Sequence, residues 1–413
     1  MSHEIVIRDA SILTEQNNVE IGIDDGVITT IDSDIGSGDH EINANGALVA
    51  SGFVDPHVHL DKALLADELP SNESQTLGES ILHDRERKRE ESIENIKKRA
   101  KEVIKWHIQN GCTRIRTHVD IDPVGELKAL KAILAAKEEY NGIVDLQIVA
   151  FPQDGVYCSP PTEDLLEQAL QYDVDAIGAI PALERRDEKV KKQIETVISL
   201  AQEYDVAIDA HIDETDDPTA QSLEYLAARA LETDIDITVG HACALAAYDE
   251  THAQKVINLV AEAGITVITN PGTNLILQGR DDQHPKRRGI TRVDQLREAG
   301  VTVAAGQDNI RDAFYQYNRG DMLETAHLVV HAAHLHSPSE RRAAWNMVTR
   351  NGASVLDVEH GVVEGKPATL NIFPQEVSTP TKAICEQLAP RAVIHEGSIV
   401  AETNINRDFR LNN

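Results

Sequence analysis

Cysteine is scarce in this chain of 413 residues, and the cysteines that it has stand far apart. The four are Cys112, Cys158, Cys243 and Cys385, and no two of them form a CxxC pair. This spacing argues against a disulfide scaffold and is typical of a reducing compartment. Any metal site must therefore be built from histidine and carboxylate side chains rather than from thiolates.

Long apolar runs are also lacking, and so is an N-terminal targeting pattern. No apolar stretch approaches the roughly 20 residues that a membrane-spanning helix needs. The first nine residues do not show the basic-then-apolar order of a signal peptide. We therefore expect no membrane association and a cytoplasmic location.

Basic charge is the third scarcity. Lys and Arg together number 39 against 69 Asp and Glu, which gives a formal net charge of −30, and only 16 of the basic residues are Lys. Such a surface repels phosphate backbones, so we expect no nucleic-acid partner. The acidic excess and the few lysines suggest a protein adapted to high salt, where screening reduces self-repulsion.

Short alternating strands are predicted at both ends of the chain. Near the N-terminus they are Glu4–Ile7, Val19–Ile23, Val27–Ile31 and Ala47–Val49. Near the C-terminus they are Ala368–Phe373, Ala392–His395 and Ser398–Ala401. Neither set can bury a core alone, so we predict one small β-sandwich domain built from residues 1–52 and 363–413.

Between these ends, eight β-rich runs alternate with helical stretches such as Glu79–Asn110. The runs are Gly52–Val58, Arg114–Val119, Asp145–Phe151, Val174–Ile180, Val206–His211, Asp236–His241, Gly264–Thr269 and Val301–Ala305. Strands and helices that alternate in this number are typical of a (β/α)₈ barrel. The predicted fold class is therefore α/β, with a TIM barrel over residues 53–362 beside the terminal sandwich.

Polar residues follow the predicted strands where a barrel of this kind places its active site. His57 and His59 end the first run, His211 the fifth and His241 the sixth, and Asp308 follows the eighth. Residues i and i+2 of a strand point to the same side, so the first two imidazoles can bind one cation. A His-x-His pair alone is more often structural, but five residues at matching strand ends favour a metal site.

Glu214 lies three positions beyond His211, where its carboxylate can move a proton between water and a substrate nitrogen. The alternative is that Glu214 belongs to a merely acidic loop with Asp213, Asp216 and Asp217. We keep that alternative for Asp216 and Asp217 but not for Glu214.

The residues around the first histidine pair resemble a known family. The segment Val54–Asp61 (VDPHVHLD), with the histidines and Asp308 downstream, resembles the amidohydrolase superfamily, and within it cytosine deaminase of the bacterial type. His-x-His marks only the superfamily. The segments Phe151–Gly155 and Leu277–Val293 are much more specific, and the resemblance covers nearly the whole chain.

This resemblance implies a site with one divalent metal ion, Fe²⁺ or Zn²⁺. Two-metal relatives carry a carboxylated Lys at the end of the fourth strand, where this chain has Gly178–Pro181 without a Lys. Lys62 lies on the wrong strand for bridging, and we interpret it as structural or as shaping the pocket mouth. The implied metal ligands are His57, His59, His211 and Asp308.

The resemblance also implies roles for residues that do not hold the metal alone. Glu214 matches the residue that carries protons to the ring nitrogen, and His241, with Asp308, holds the attacking water. Gln153 matches the side chain whose amide pairs with the edge of the ring. The family is oligomeric, so a homo-oligomer is expected.

Two departures from the family pattern affect the predicted substrate. The family reads His-Asp-Asp after the last strand and later has a Trp, whereas this chain has Gln307–Asn309 and then Phe314. The stretch Asp308–Asp312 instead resembles enzymes that hydrolyse N-alkylamino groups from s-triazine rings. We expect Asn309 and Phe314 to contact the substrate.

The predicted function is hydrolytic deamination of a small heterocycle, cytosine to uracil and ammonia, within pyrimidine metabolism. The alternatives on the same scaffold are isocytosine, creatinine and an N-alkylaminotriazine. A non-catalytic barrel is an alternative of another class. It predicts the loss of a ligand or of Glu214, and this sequence retains all of them.

Overall fold

The computed structural model describes residues 2–13, 18–70, 73 and 77–404. Its strands in chain order are β1 (His3–Ala10), β2 (Val19–Asp24), β3 (Val27–Asp32), β4 (Gly38–Asn43), β5 (Val49–Ser51), β6 (Phe53–Val58), β7 (Cys112–Asp120), β8 (Asp145–Phe151), β9 (Ala176–Ile177), β10 (Ala207–Ile212), β11 (Ile237–His241), β12 (Thr266–Thr269), β13 (Val303–Ala305), β14 (Leu370–Ile372), β15 (Ala392–His395) and β16 (Ser398–Glu402).

The helices occupy most of the connections between these strands. They are α1 (Leu77–Glu90), α2 (Ile93–Gln109), α3 (Lys128–Glu139), α4 (Thr162–Ala169), α5 (Asp187–Tyr204), α6 (Ser222–Ala230), α7 (Glu250–Glu262), α8 (Pro271–Leu277), α9 (Val293–Glu298), α10 (Met322–Ala332), α11 (Pro338–Met347), α12 (Arg350–Val355) and α13 (Pro380–Glu386).

Strands β6 to β13 form one sheet in chain order, and each pair of neighbours is parallel. The sheet closes on itself just beyond its two edge strands. The amide N–H of Asp308 donates to the carbonyl of His57 at 2.7 Å, and the N–H of His59 donates to the carbonyl of Asp308 at 3.1 Å. The predicted (β/α)₈ barrel is therefore confirmed, and residues at both sides of its seam are candidate metal ligands.

The local sequence accounts for these elements. Strands β6 and β7 are buried along their whole length, as expected for strands covered on both faces. Helix α2 buries one face, including Ile96, Val103 and Ile104, against the barrel. The side chain of Ser92 accepts from the N–H of Asn95 and so starts that helix.

The terminal strands form two four-stranded sheets, in the orders β3-β2-β1-β4 and β16-β15-β14-β5. Their facing sides share one apolar core that includes Ile7, Ile21, Leu370 and Ile394. The predicted sandwich from both chain ends is thereby confirmed. Its boundaries at residues 52/53 and 362/363 stay predictions, and residues 1, 14–17 and 405–413 of the predicted domain lie outside the described part.

Three elements differ from the sequence-based expectation. The fourth barrel strand is only Ala176–Ile177, although Asp175 and Gly178 still donate to the carbonyls of Ile148 and Ala150. Strand β4 was not predicted, because its residues are mostly polar and mostly exposed, and it is held by parallel pairing with β1. The helical stretch Glu79–Asn110 is split into α1 and α2, with Glu91 and Ser92 between them.

Among the described residues, no helix combines the length and the apolar character needed to cross a membrane.

Candidate active site

Four of the predicted site residues meet at the carboxyl ends of the barrel strands. The Nε2 atoms of His59 and His211 lie 3.1 Å apart. Oδ1 of Asp308 lies 3.6 Å from Nε2 of His57 and 3.4 Å from Nε2 of His59. All four side chains are buried, so these atoms face one another rather than solvent.

His241 joins this group. Four potential ligand atoms, one from each side chain, all lie within 4.8 Å of one another. They belong to His57, His211, His241 and Asp308. His241 and Asp308 have positive φ angles of 71° and 61°, in the left-handed region that residues other than glycine rarely adopt. Such backbone strain is typical of functional sites, where it aims a side chain at a required point.

The unpaired atoms of this cluster show whether the residues fit a metal ion. Within the described residues, both ring nitrogens of His57, Nδ1 of His59 and of His211, and Oδ2 of Asp308 have no hydrogen-bond partner. Buried polar atoms without partners are rare and need an explanation. Imidazole lone pairs and a carboxylate that converge on one point are the donor set of Zn²⁺ or Fe²⁺. The residues therefore fit one divalent metal ion.

The electrostatics of the cluster agree with metal binding. Burial holds the pKa values of His59 and His211 well below the usual histidine value, and neighbouring basic groups lower them further. Burial also lowers the pKa of His241 to about 4. Burial alone would raise the pKa of Asp308, but His241 and His57 lower it overall. At neutral pH, His59, His211 and His241 are thus neutral imidazoles and Asp308 is an ionised carboxylate.

Glu214 lies beside this cluster, in contact with His241. Its Oε1 is 3.3 Å from Nδ1 of His241 and accepts a hydrogen bond from Nδ2 of Asn274 at 3.0 Å. Burial raises the pKa of Glu214 well above the usual glutamate value, and the charge of Asp308 raises it further. A carboxyl group with a raised pKa can accept and return a proton near neutral pH.

A pocket lies above the cluster. The predicted residues that line it are Gln153, Asn309 and Phe314, together with His59, His211, Glu214 and Asp308. Apolar side chains complete its walls, namely Ile81, Ile180, Leu183 and Leu277. The structure therefore brings together the proposed metal ligands, the proposed proton carrier and the three proposed substrate contacts.

Lys62 is fully buried beneath the pocket. Of the two interpretations of this residue, its burial favours a structural role over a position at the pocket mouth. Its Nζ donates to Oε1 of Gln153 at 2.5 Å and to Oδ1 of Asp120 at 2.8 Å. Its ammonium also lies 5.5 Å from the ring centre of Phe314. Gln153 therefore keeps its N–H donors for the pocket, because its oxygen is held by Lys62.

Glycines make room for His57. A Cβ atom at Gly240 would lie 2.7 Å from Cε1 of His57, and one at Gly306 would lie 2.7 Å from the carbonyl oxygen of His57. Real Cβ atoms essentially never approach so closely. Gly240 and Gly306 are therefore needed, because any larger residue at either position would collide with His57.

His118 at the end of the second strand, for which a supporting role at the site and a structural role were both open from the sequence, packs against the ring of His57 at a centroid distance of 4.1 Å and is 3.1 Å from Asp209. Two residues of the site were not predicted. Asn274 contacts both Glu214 and His241, and Ile81 of α1 covers the pocket. Asn274 follows the seventh strand closely, so the strand-end rule could have found it. Ile81 carries no comparable signal, because its role depends on how α1 packs.

Comparison with known proteins agrees with this geometry. The family model described as "Amidohydrolase family" matches residues 40–401. The chain belongs to the amidohydrolase family. This confirms the family predicted from the histidine pair and its partners.

This amidohydrolase is similar to enzymes that act on several heterocycles. It is 30% identical to N-isopropylammelide isopropyl amidohydrolase of Pseudomonas sp. (strain ADP), over 97% of this chain and 98% of that protein. It is 29% identical to pterin deaminase of Rhizobium rhizogenes, over 84% of this chain and 79% of that protein.

Among solved structures, 5-methylcytosine deaminase from Klebsiella pneumoniae, liganded with 5-fluorocytosine, superposes with a TM-score of 0.93. That similarity covers 98% of this chain and 99% of the other at 33% identity. This amidohydrolase is thus related to hydrolases that act on carbon–nitrogen bonds of heterocycles.

Proposed function

We propose that this amidohydrolase hydrolytically deaminates a cytosine-type ring, cytosine itself or a form substituted at C5, to the uracil-type ring and ammonia. The proposal includes one divalent metal ion, Fe²⁺ or Zn²⁺, held by His57, His59, His211 and Asp308. The observation that carries it is the position of Glu214, which contacts His241 and lines the same pocket as Gln153. The similarity to 5-methylcytosine deaminase supports the choice of ring.

The residues divide the chemistry between them. A divalent metal, when bound, supplies Lewis acidity and activates water for attack on the amino-bearing carbon. His241 and Asp308 orient the attacking water by hydrogen bonds. Glu214 takes a proton from that water, gives it to the ring nitrogen, and later helps ammonia to leave. Asn274 keeps the Glu214 carboxyl in place through its hydrogen bond to Oε1.

The pocket offers polar and aromatic contacts for a ring with a carbonyl group. Gln153 and Phe314 line it together with apolar side chains such as Ile180 and Leu277. Gln153 donates its N–H to a ring carbonyl, and Phe314 packs against the face of the ring.

The second candidate substrate is an N-alkylaminotriazine. Asn309 lines the pocket where the family pattern has a carboxylate, and its Nδ2 donates to Oδ2 of Asp312 at 2.8 Å. Asn309 thus places an uncharged amide beside the exocyclic leaving group, which in this substrate is an alkylamine bulkier than ammonia. The 30% identity to N-isopropylammelide isopropyl amidohydrolase favours the same candidate.

We also infer a cytoplasmic homo-oligomer that acts on a free small molecule. The net charge of −30 argues against binding to nucleic acid. The proposed substrate depends on neither the assembly nor the choice of metal.

Release of amines by the metal-loaded protein tests this proposal. The protein is depleted of metal, reloaded with Fe²⁺ or Zn²⁺, and offered cytosine, 5-methylcytosine, isocytosine, creatinine and N-isopropylammelide. Ammonia from the cytosines supports the proposal, and isopropylamine from N-isopropylammelide alone would support the second candidate. Turnover of none of the five would refute both.

A further inference from the structure

Helix α1 carries a lysine that reaches the barrel directly beneath the substrate pocket. Lys88 lies in the last turn of α1 and is almost fully buried. Its Nζ is 2.6 Å from Oδ2 of Asp120 and 2.9 Å from Oδ2 of Asp122, both of which belong to the barrel. It also contacts Asp84, one turn earlier on α1, at 3.0 Å.

Asp120 connects this lysine to the pocket. One of its carboxylate oxygens, Oδ2, is taken by Lys88, and the other, Oδ1, accepts from Lys62 at 2.8 Å. Lys62 in turn donates to Oε1 of Gln153 at 2.5 Å. The two ammonium groups thus hold the two edges of one buried carboxylate, and the second of them sets the orientation of the Gln153 amide.

The charges explain why both lysines are needed. Asp61, Asp84, Asp120 and Asp122 are all buried around Lys62 and Lys88. Without Lys88, Lys62 would be the nearest cation for Asp120. Its ammonium would then be drawn toward the unbalanced carboxylates and away from a neutral amide, because charge–charge attraction is stronger than a charge–dipole contact at low dielectric.

We propose that Lys88 is a positioning residue, which couples the docking of α1 to the recognition of the substrate through Asp120, Lys62 and Gln153. Docking of α1 brings Ile81 over the pocket and Lys88 onto Asp120 together. Lys62 then holds Oε1 of Gln153, and the amide can only donate toward the substrate. The closed site therefore takes rings that present a carbonyl at this edge and discriminates against rings that present an amino group there.

This inference rests on the proposed function for its substrate. Lys88 itself lies outside the pocket and acts on specificity without touching the ring.

A double-mutant cycle tests it. We expect Lys88→Gln to raise KM for cytosine about tenfold with kcat changed little, because the lost contact is made by the non-reacting edge of the ring. Lys88→Arg, which keeps the charge, should restore most of the affinity. In a Gln153→Ala background, Lys88→Gln should change KM no further. Independent, additive effects on KM would overturn the proposal.

Lys128→Gln is the matched control. Lys128 also holds the end of α1, since its Nζ donates to the carbonyls of Lys88 and Glu91, but within the described structure it forms no hydrogen bond or ion pair with Asp120. A KM unchanged in Lys128→Gln supports a specific role for the Lys88 charge. A KM raised equally in both variants would show that only the docking of α1 matters and would overturn the proposed role of Lys88.

A second variant guards against loss of folding. Lys88→Met combined with Asp122→Asn removes one charge of each sign. The amide introduced by Asp122→Asn keeps a side-chain oxygen that can accept from the N–H groups of Val124 and Gly125, as the carboxylate does. We expect the same coupling to Gln153→Ala in this background.

A crystal structure separates failure of the relay from failure of the proposed function. If wild-type protein with metal turns over no cytosine-type ring, the proposed function fails. The contact between Lys62 and Gln153 in the crystal structure still tests whether Lys88 positions Gln153. In Lys88→Gln, Nζ of Lys62 beyond hydrogen-bond distance from Oε1 of Gln153 supports the proposal. An unchanged contact between these two atoms would overturn it.

Discussion

At the scale of single residues, the site depends on a few side chains in unusual surroundings. Glu214 combines burial, a raised pKa and a contact with His241. Asp213 of the same loop is also buried with a raised pKa, but its carboxylate accepts from the backbone N–H groups of Ser222 and Leu223. Asp217 is exposed. The sequence-based choice of Glu214 among these carboxylates stays a prediction, and it can be tested directly.

Glu214→Gln should retain metal and lose nearly all turnover, because the amide cannot carry a proton. A loss of about 10²- to 10⁴-fold in kcat is expected for a general acid–base residue. Metal content by elemental analysis and ammonia release are the two measurements. Asp217→Asn is the control and should retain wild-type rates. Substantial activity of the Gln variant would refute the assigned role.

Gly240→Ala should weaken metal binding without unfolding the protein. The new Cβ would force the His57 ring away from its position, since it would lie 2.7 Å from Cε1. Displacing the support of a ligand typically costs about 10- to 100-fold in metal affinity. Competition with a chelator measures the change. Gly78→Ala is a suitable control, because nothing lies within 4 Å of its added Cβ. Equal metal affinities for the two variants would contradict the expectation.

At the scale of secondary-structure elements, a buried ion pair joins two strands of the barrel. Asp209 of β10 accepts from Arg116 of β7 at 3.1 Å and lies 3.1 Å from Nε2 of His118 on the same strand. Arg116 continues to the carbonyl of Val355 at the end of α12. The group ties two strands and a helix together below the proposed metal site.

Asp209→Ala should lower the free energy of unfolding by about 3–5 kcal/mol, because it leaves the Arg116 charge buried without its partner. Urea unfolding measures this, in the presence of a chelator so that metal binding does not contribute. The exposed Asp39→Ala should change stability by less than about 0.5 kcal/mol. If the Asp209–Arg116 pair contributes nothing to stability, the two variants should have the same midpoint of urea unfolding.

The secondary-structure elements differ in how well the sequence predicts their positions. Periodicity and the strand-end rule placed the barrel strands, and with them the five candidate residues from His57 to Asp308. Helix α1 was expected only as part of a longer charged helix. Its place over the pocket is held by contacts with distant parts of the chain, among them those of Lys88 with Asp120 and Asp122 and that of Arg85 with Asp154. Such contacts leave no periodic pattern, because they join residues that only tertiary packing brings together.

At the scale of the whole molecule, charge is the dominant property. With a net charge of −30, surface carboxylates repel one another, and dissolved salt screens this repulsion. We therefore expect Tm and activity to rise from low salt to molar KCl. Thermal unfolding followed by circular dichroism and ammonia release in both buffers check this. Equal Tm and equal rates in the two buffers would exclude a salt-adapted protein.

The seam of the barrel has a consequence for biosynthesis. Asp55, next to the first histidine pair, accepts from the N–H of Gln307, 252 residues later in the chain, and Asp308 then joins His57 and His59. On the ribosome the histidines emerge early, but their carboxylate partner arrives only after the last barrel strand. With the proposed metal ligands, metal capture would be a late step of maturation, and a chain released too early would present an unpaired sheet edge, a known template for aggregation. Chains truncated before Asp308 should therefore be insoluble whether or not metal is supplied, whereas full-length chains should stay soluble when metal is supplied.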